Sequence, residues 1–385
     1  MHNSRGRITV FFVSRCRLVN KTTMEKIWKL LFLYQMVAVM SILFIFIHVM
    51  NERLMPMPVI RVNASQDFRY MIYECTGDSY CGGWADRLKG IAMAYLISVM
   101  TKRRFGIHIT SPRCNITDFL EPNHVDWVVD VDMINDLPSD RFNHVDRSTF
   151  LDHASTANFS SILKEDVIFY KGNYEFITAL QRNPNHRSEL LWTKGRTVDE
   201  VFSAILKVLF KLNKKLDTLI REFLQRVRPD KRKSKLVCAQ IRMGRNPTIP
   251  RDTEVRNTPE GVEAVWKFVR NNLICEHCKF FLSTDSEHIH LKAKSEFPDQ
   301  IVDIPGEINH IERGSKHGNS CEAMAKVVID QHVLAHCDSL IISQSGFGII
   351  AAYLRGEKEN LYCFIHGKVV PCLPSNIHNV FRKPD

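Results

Sequence analysis

The stretch that most constrains the fold is Val327–Tyr353, VVIDQHVLAHCDSLIISQSGFGIIAAY, which reads as helix, strand, tight turn and helix. Met324, Val327, Val328, Leu334 and Ala335 fall on one helical face. Ser339–Ser343 is a short apolar run with paired isoleucines, the pattern of a strand buried in a parallel sheet. The turn from Ser343 through Ser345, Gly346 and Phe347 to Gly348 passes straight into a second apolar helix. Small hydroxyl and glycine residues there leave backbone N–H groups free to point at an anion, and the helix amino end adds partial positive charge. An ordinary βα turn tightened by glycine has the same appearance, so this turn alone leaves both readings open.

Two more stretches bear on the choice. Leu236–Ile241 (LVCAQI) predicts a buried strand, with Arg242, Met243, Gly244 and Arg245 just beyond it. A guanidinium in that position can fork onto a phosphate. Phe280–Asp285 is another apolar strand with polar residues at its carboxyl end. In a doubly wound parallel sheet, the strand ends bearing Arg242, Asp285 and Ser345 converge on one crevice, which favours the phosphate reading.

The formal net charge of +10 would suit a nucleic-acid ligand, but its distribution argues otherwise. Seven basic residues stand against the single acid Glu25 before residue 30. The remainder is mildly basic, which fits a small anionic substrate and no nucleic acid. Those charges precede Leu30–Met50, a run without formal charge that is long enough to span a bilayer. The basic flank predicts a cytosolic tail (1–29), a membrane anchor (30–50) and a lumenal remainder. A signal peptide would be shorter and end in small residues. Ten of the 11 cysteines follow the anchor, as an oxidising compartment allows, although their pairing is not readable. Asn63, Asn115 and Asn158 begin glycosylation sequons. Cys275 and Cys278 have metal-like spacing but no matching ligand pair, so a disulfide or buried thiols compete with metal.

A stem (51–66) with Pro56 and Pro58 leads to a βαβ opening: a strand over Arg69–Glu74, a helix over Trp84–Met100, and a strand over Phe105–Ile109. Between the first two lies a loop with Gly82, Gly83, Asp86 and Arg87. The glycine pair permits close approach of backbone to a ligand, while Asp86 and Arg87 either cap the helix or face a cleft. Trp127–Val131 and Val167–Tyr170 suggest further strands. Thr197 and Glu200 form a capping-box pattern ahead of a long apolar stripe that breaks near Asn213. The basic segment after Arg228 marks a boundary between domains at 67–228 and 233–375, followed by a tail at 376–385.

These stretches resemble the motifs of the fucosyltransferase superfamily that holds the core α1,6-, protein O- and xyloglucan fucosyltransferases. Gln240-Ile-Arg242-Met-Gly244 is similar to its first motif and Phe280–Asp285 to its second. Asp330 through Leu334, with Asp338 and Ser343–Gly346, is similar to its third. Gly82 through Leu88 resembles the family's amino-terminal GGxGDRL loop. The resemblance implies an α/β, GT-B-like fold, with two Rossmann-like domains facing across a cleft behind the transmembrane helix. It implies GDP-fucose as donor, transfer with inversion to a glycan or glycoprotein, and no metal; joined to the amino-terminal anchor, it leads to the expectation of a single-pass Golgi membrane protein. By position, Arg242 would bind the pyrophosphate. Ser345 and Gly346 would hold phosphate, with Ser343 and Phe347 in the same turn. Asp330 would read the guanine edge, and Asp285 would lie near the sugar or hold Arg242. Gln240 stands where the family has histidine, and Arg245 where an acid often follows. The general base stays open among Asp252, Glu254 and Asp86. Another nucleotide-sugar transferase, or a silent lumenal glycan-binding protein, shares the same pattern.

Overall fold

The computed structural model describes residues 28–42, 69–77, 80–144, 147–247, 252, 254–308, 311 and 321–382. The chain divides into two compact units, Met1–Met55 and Pro56–Asp385. In the first, residues 28–42 form a helix, α1, whose side chains are exposed. Among the described residues no helix is long and apolar enough to cross a membrane. Residues 43–50 of the expected span lie outside them.

The second unit holds two parallel sheets. In chain order its first half contains β1 (Tyr70–Cys75), α2 (Trp84–Thr101), β2 (Arg104–Ile109), β3 (Leu120–Pro122), β4 (Ser139–His144), α3 (Arg147–Thr156), α4 (Phe159–Ile162), β5 (Val167–Gly172), α5 (Ile177–Arg182), α6 (Val198–Leu209), β6 (Phe210–Leu212) and α7 (Lys214–Val227). The second half contains β7 (Leu236–Ile241), α8 (Pro259–Asn272), β8 (Lys279–Thr284), α9 (Glu287–Glu296), β9 (Ile301–Val302), α10 (Cys321–Leu334), β10 (Ser339–Ser343), α11 (Gly346–Arg355), β11 (Leu361–Ile365), β12 (Lys368–Pro371) and α12 (Ile377–Phe381).

The first sheet runs β2-β1-β5-β4 and the second β12-β11-β10-β7-β8-β9. Within these two sheets all pairings are parallel except the closing β11–β12 hairpin, and β3 and β6 form a separate antiparallel pair. The second sheet starts at its centre. From β7 the chain winds outward through β8 and β9, then returns to β10 on the other side. The carboxyl ends of β7 and β10 therefore flank a topological switch point, the place where open α/β sheets form crevices.

The apolar runs at β7, β8 and β10 become strands because burial on both faces rewards consecutive Val, Ile, Leu and Phe. The Thr197–Glu200 box forms, with the Thr197 N–H donating to Glu200 Oε2 at 3.0 Å, and the apolar stripe breaks at β6. Trp127–Val131 differs from expectation, since it is irregular. Trp127 is a core residue, and its indole N–H donates to the Leu209 carbonyl at 2.7 Å. Val129 packs over Gly106 and Val131 joins the Ile72, Ile134 and Phe169 cluster, so this run lies against the first sheet instead of joining it.

Every cysteine after residue 50 is bridged: Cys75–Cys81, Cys114–Cys321, Cys238–Cys337, Cys275–Cys278 and Cys363–Cys372. The first ties the end of β1 to the glycine loop. Cys275 and Cys278 are partners of each other, so the metal alternative at that spacing does not hold.

At the end of β4, His144 packs against Phe142, Phe150 and Tyr170. Burial, with a smaller effect from His153, lowers its pKa from 6.5 to about 4. The unfolded chain thus takes up a proton that the folded chain refuses. The associated stability is complete above 6.5 and is lost as pH falls toward 4. We expect a loss of order 1–2 kcal/mol over that window, allowing for solvent screening. The expected result for His144→Phe is a flatter stability profile between these pH values. An unchanged slope would remove this role.

Candidate active site

A cleft of about 340 Å³ opens at the switch point. It is bordered by the loop before α2 and that helix's first turn, the carboxyl ends of β7 and β8, α10, and the amino end of α11. Gly83, Asp86, Gln240, Arg242, Asp285, Asp330, Ser345, Gly346 and Phe347 all line it. Residues from four separate stretches of sequence thus meet in one place.

Arg242 emerges at the end of β7 with its guanidinium between two carboxylates, Asp285 and Asp252. The Arg242 N–H donates to Ser343 Oγ at 2.8 Å, joining the ends of β7 and β10. Asp285 also accepts the N–H groups of Met243 (2.6 Å) and Gly244 (2.9 Å), while Asp252 accepts that of Asn246 (2.8 Å). Asp285 is therefore the anchor of the 242–246 loop and holds Arg242, one of its two expected roles. The side chains of Asp252 and Asp285 are 2% and 10% exposed, so the arginine fork is fixed before any ligand arrives.

The amino end of α11 forms the opposite wall. No side chain caps it at Ser345. The N–H groups of Gly346, Phe347 and Gly348 have no partner within the helix, because the first turn of any helix lacks them. Gly346 is needed for proximity: a Cβ there would stand 3.2 Å from Ala85 Cβ and 3.4 Å from Lys89 Nζ of α2. At Gly348 the missing side chain makes room for the amide oxygen of buried Gln240.

A second lobe is built on α10. Asp330 is 8% exposed and accepts from Lys326 (2.5 Å) and Ser283 Oγ (3.1 Å). Burial raises its pKa, with Lys326 and Ser283 opposing. Lys326 also lies 3.8 Å from Asp303, and His290 Nε2 is 3.1 Å from the same carboxylate. Burial pushes Asp303 up, but His290 and Lys326 together hold it below its usual value. The result is a lobe with a carboxylate acceptor and an ammonium donor side by side.

Four expected residues support the cleft without lining it. Gly82 adopts φ +81°, and a Cβ there would collide with Asp86. Arg87 is fully buried, giving its Nε–H to the Gly82 carbonyl at 3.1 Å and another N–H to Ser111. It braces the glycine loop from behind instead of facing a ligand. Gly244 (φ +73°) lets the loop touch the 254–256 segment, and Ser343 is sealed between strands. Among the general-base candidates, Asp252 is committed to Arg242, and Glu254 is exposed away from the cleft. Asp86 lines the cleft but caps the Gly83 N–H at 3.2 Å and pairs with Lys89 at 3.0 Å.

Lys326, His290, Asp303 and Arg256 also line the cleft without a sequence signal having singled them out. Lys326 was within reach, being one helical turn before Asp330. His290, Asp303 and Arg256 come from separate loops and elements, and only the tertiary fold brings them in.

No family model matches the chain, and no curated protein matches it. Among solved structures, a mutant of Arabidopsis thaliana FUT1 in complex with GDP is similar over 84% of this chain and 76% of its own, at 13% identity and a TM-score of 0.54. The fucosyltransferase NodZ from Bradyrhizobium is more distantly similar: 17% identity, 74% of this chain, 92% of its own, and a TM-score of 0.46. The likeness to FUT1 establishes a shared GT-B-like α/β fold.

Proposed function

We propose that the protein is a glycosyltransferase that moves fucose from GDP-fucose to a hydroxyl of a glycan or glycoprotein, with inversion and without a metal. The observation that carries this reading is the meeting, at one switch point, of an uncapped helix amino end, an arginine-braced loop and a buried acid–ammonium pair. The FUT1 fold, seen there with GDP, supports it. In this reading the diphosphate sits on the open N–H groups of Gly346–Gly348, beside the loop that Arg242 braces. As the glycosidic bond breaks, charge grows on the departing phosphate, and dipoles already in place stabilise it without reorganising.

Asp330 and Lys326 then meet the base. Guanine offers a carbonyl oxygen beside an N–H, which complements an ammonium beside a carboxylate. Adenine reverses donor and acceptor, setting its ring nitrogen lone pair against the carboxylate and its amino group against the ammonium, an expensive mismatch. We further propose that residues 30–50 anchor the chain in a Golgi membrane with the rest lumenal. Five disulfides and the exposed sequon residues Asn115 and Asn158 support that placement.

A thermal-shift screen of GDP, ADP, GDP-, UDP- and CMP-sugars tests the donor assignment. A ligand at a hundred times its Kd adds about 2.7 kcal/mol to stability. Guanine nucleotides alone are expected to raise the Tm, and Asp330→Asn is expected to abolish the preference for GDP over ADP. Equal shifts by UDP- or CMP-sugars would contradict it. A second reading, a silent binder, draws on the engagement of Asp252 and Asp86 by cations; it predicts the same shifts without turnover.

A further inference from the structure

We infer that Arg256 is the cation that clamps the donor's diphosphate, and that Arg242 mainly shapes the loop around it; this deepens the nucleotide-sugar reading and rests on it. The charges lining the cleft lead to this assignment. Arg242 faces two buried carboxylates, Asp252 and Asp285, so the group of three carries net negative charge. Lys326 is shared by Asp330 and Asp303. A diphosphate that met only these groups would be repelled by acids already close at hand. Among the described residues lining the cleft, Arg256 is the arginine or lysine with no carboxylate partner.

Its backbone is nevertheless fixed. The Arg256 N–H donates to the Met243 carbonyl at 2.7 Å, and the Asn257 amide donates to the Arg242 carbonyl at 2.8 Å. Gly244, without a side chain, lets the segment lie directly on the loop that follows β7. An exposed guanidinium on an anchored backbone can swing onto an anion seated at the α11 amino end. It brings an uncancelled charge and a planar fork that a lysine lacks.

The test measures GDP and guanosine binding by the full-length chain and its Arg256→Gln and Arg256→Lys variants. Because Arg256 is exposed, neither change should disturb folding, and the melting curve without ligand checks this. Arg256→Gln is expected to weaken GDP about ten- to hundredfold, the scale of one charge-assisted hydrogen bond. Guanosine, which has no phosphate, should change less than about twofold. The salt dependence of GDP binding should become shallower, and Arg256→Lys should recover part of the loss. GDP binding equal to the parent's would overturn the inference, as would an equal loss of guanosine binding. If the parent chain binds no GDP, the donor assignment itself fails and this inference with it.

Discussion

Arg242→Ala is expected to unfold far more easily than the parent chain, by about 3–5 kcal/mol, because it strands two buried carboxylates. Asp252 and Asp285 are almost sealed from solvent and currently share one guanidinium. Removing it leaves like charges facing each other beside β7. Arg242→Lys keeps the charge but cannot reach both acids with a planar fork, so an intermediate loss is expected. Adding Asp252→Asn to Arg242→Ala should return part of the stability, because the two sites share one network. Denaturation of the three variants measures all of this. If Arg242→Ala stays within about 1 kcal/mol of the parent and loses only GDP binding, the arginine is a ligand residue and its structural role is wrong.

Gly244→Ala is expected to damage stability and the site together. The glycine has φ +73°, in the left-handed region that side chains resist. A methyl group there would also run into the Glu254 carbonyl oxygen and approach the Arg256 N–H at 3.3 Å. Strain and collision combine to about 2–4 kcal/mol. Gly195 supplies the control, since it has the same φ of +73° with no neighbour within 4 Å of its Cβ position. Gly195→Ala should cost only the conformational part, about 1–2 kcal/mol. The informative comparison is GDP binding: Gly244→Ala should lose it as the 254–256 segment is displaced, and Gly195→Ala should keep it. If both variants lose equal stability, the contact with Glu254 has no energetic weight.

The cleft was legible where its residues end apolar strands or begin helices. β7 and β10 have the bounds their apolar runs predict, and with them come Arg242 and Ser345. The glycine loop before α2 was equally readable, although Arg87 turns inward because its guanidinium satisfies backbone carbonyls that burial would otherwise orphan. β4 escaped notice because Ser139–His144 is mostly polar: it is an edge strand, paired on one side only, without the apolar signature of a central one. Trp127–Val131 misled for the opposite reason, since its apolar residues are drawn to the face of a sheet as readily as into it. Arg256 was invisible because its place depends on two backbone hydrogen bonds and an absent Cβ at Gly244, none of which leaves periodicity in sequence. Cysteine spacing could not reveal that Cys114 reaches Cys321 across 207 positions.

The measurement that bears most directly on the proposed activity is GDP release from GDP-fucose by purified protein, with an acceptor glycan mixture present and excess chelator added. The account predicts GDP formation above the spontaneous rate, unchanged by chelator, together with a fucosylated product. Binding of GDP-fucose without any GDP release would contradict it and leave a glycan-binding protein on a transferase fold. Release that stops in chelator and returns with added metal would contradict the metal-independent mechanism.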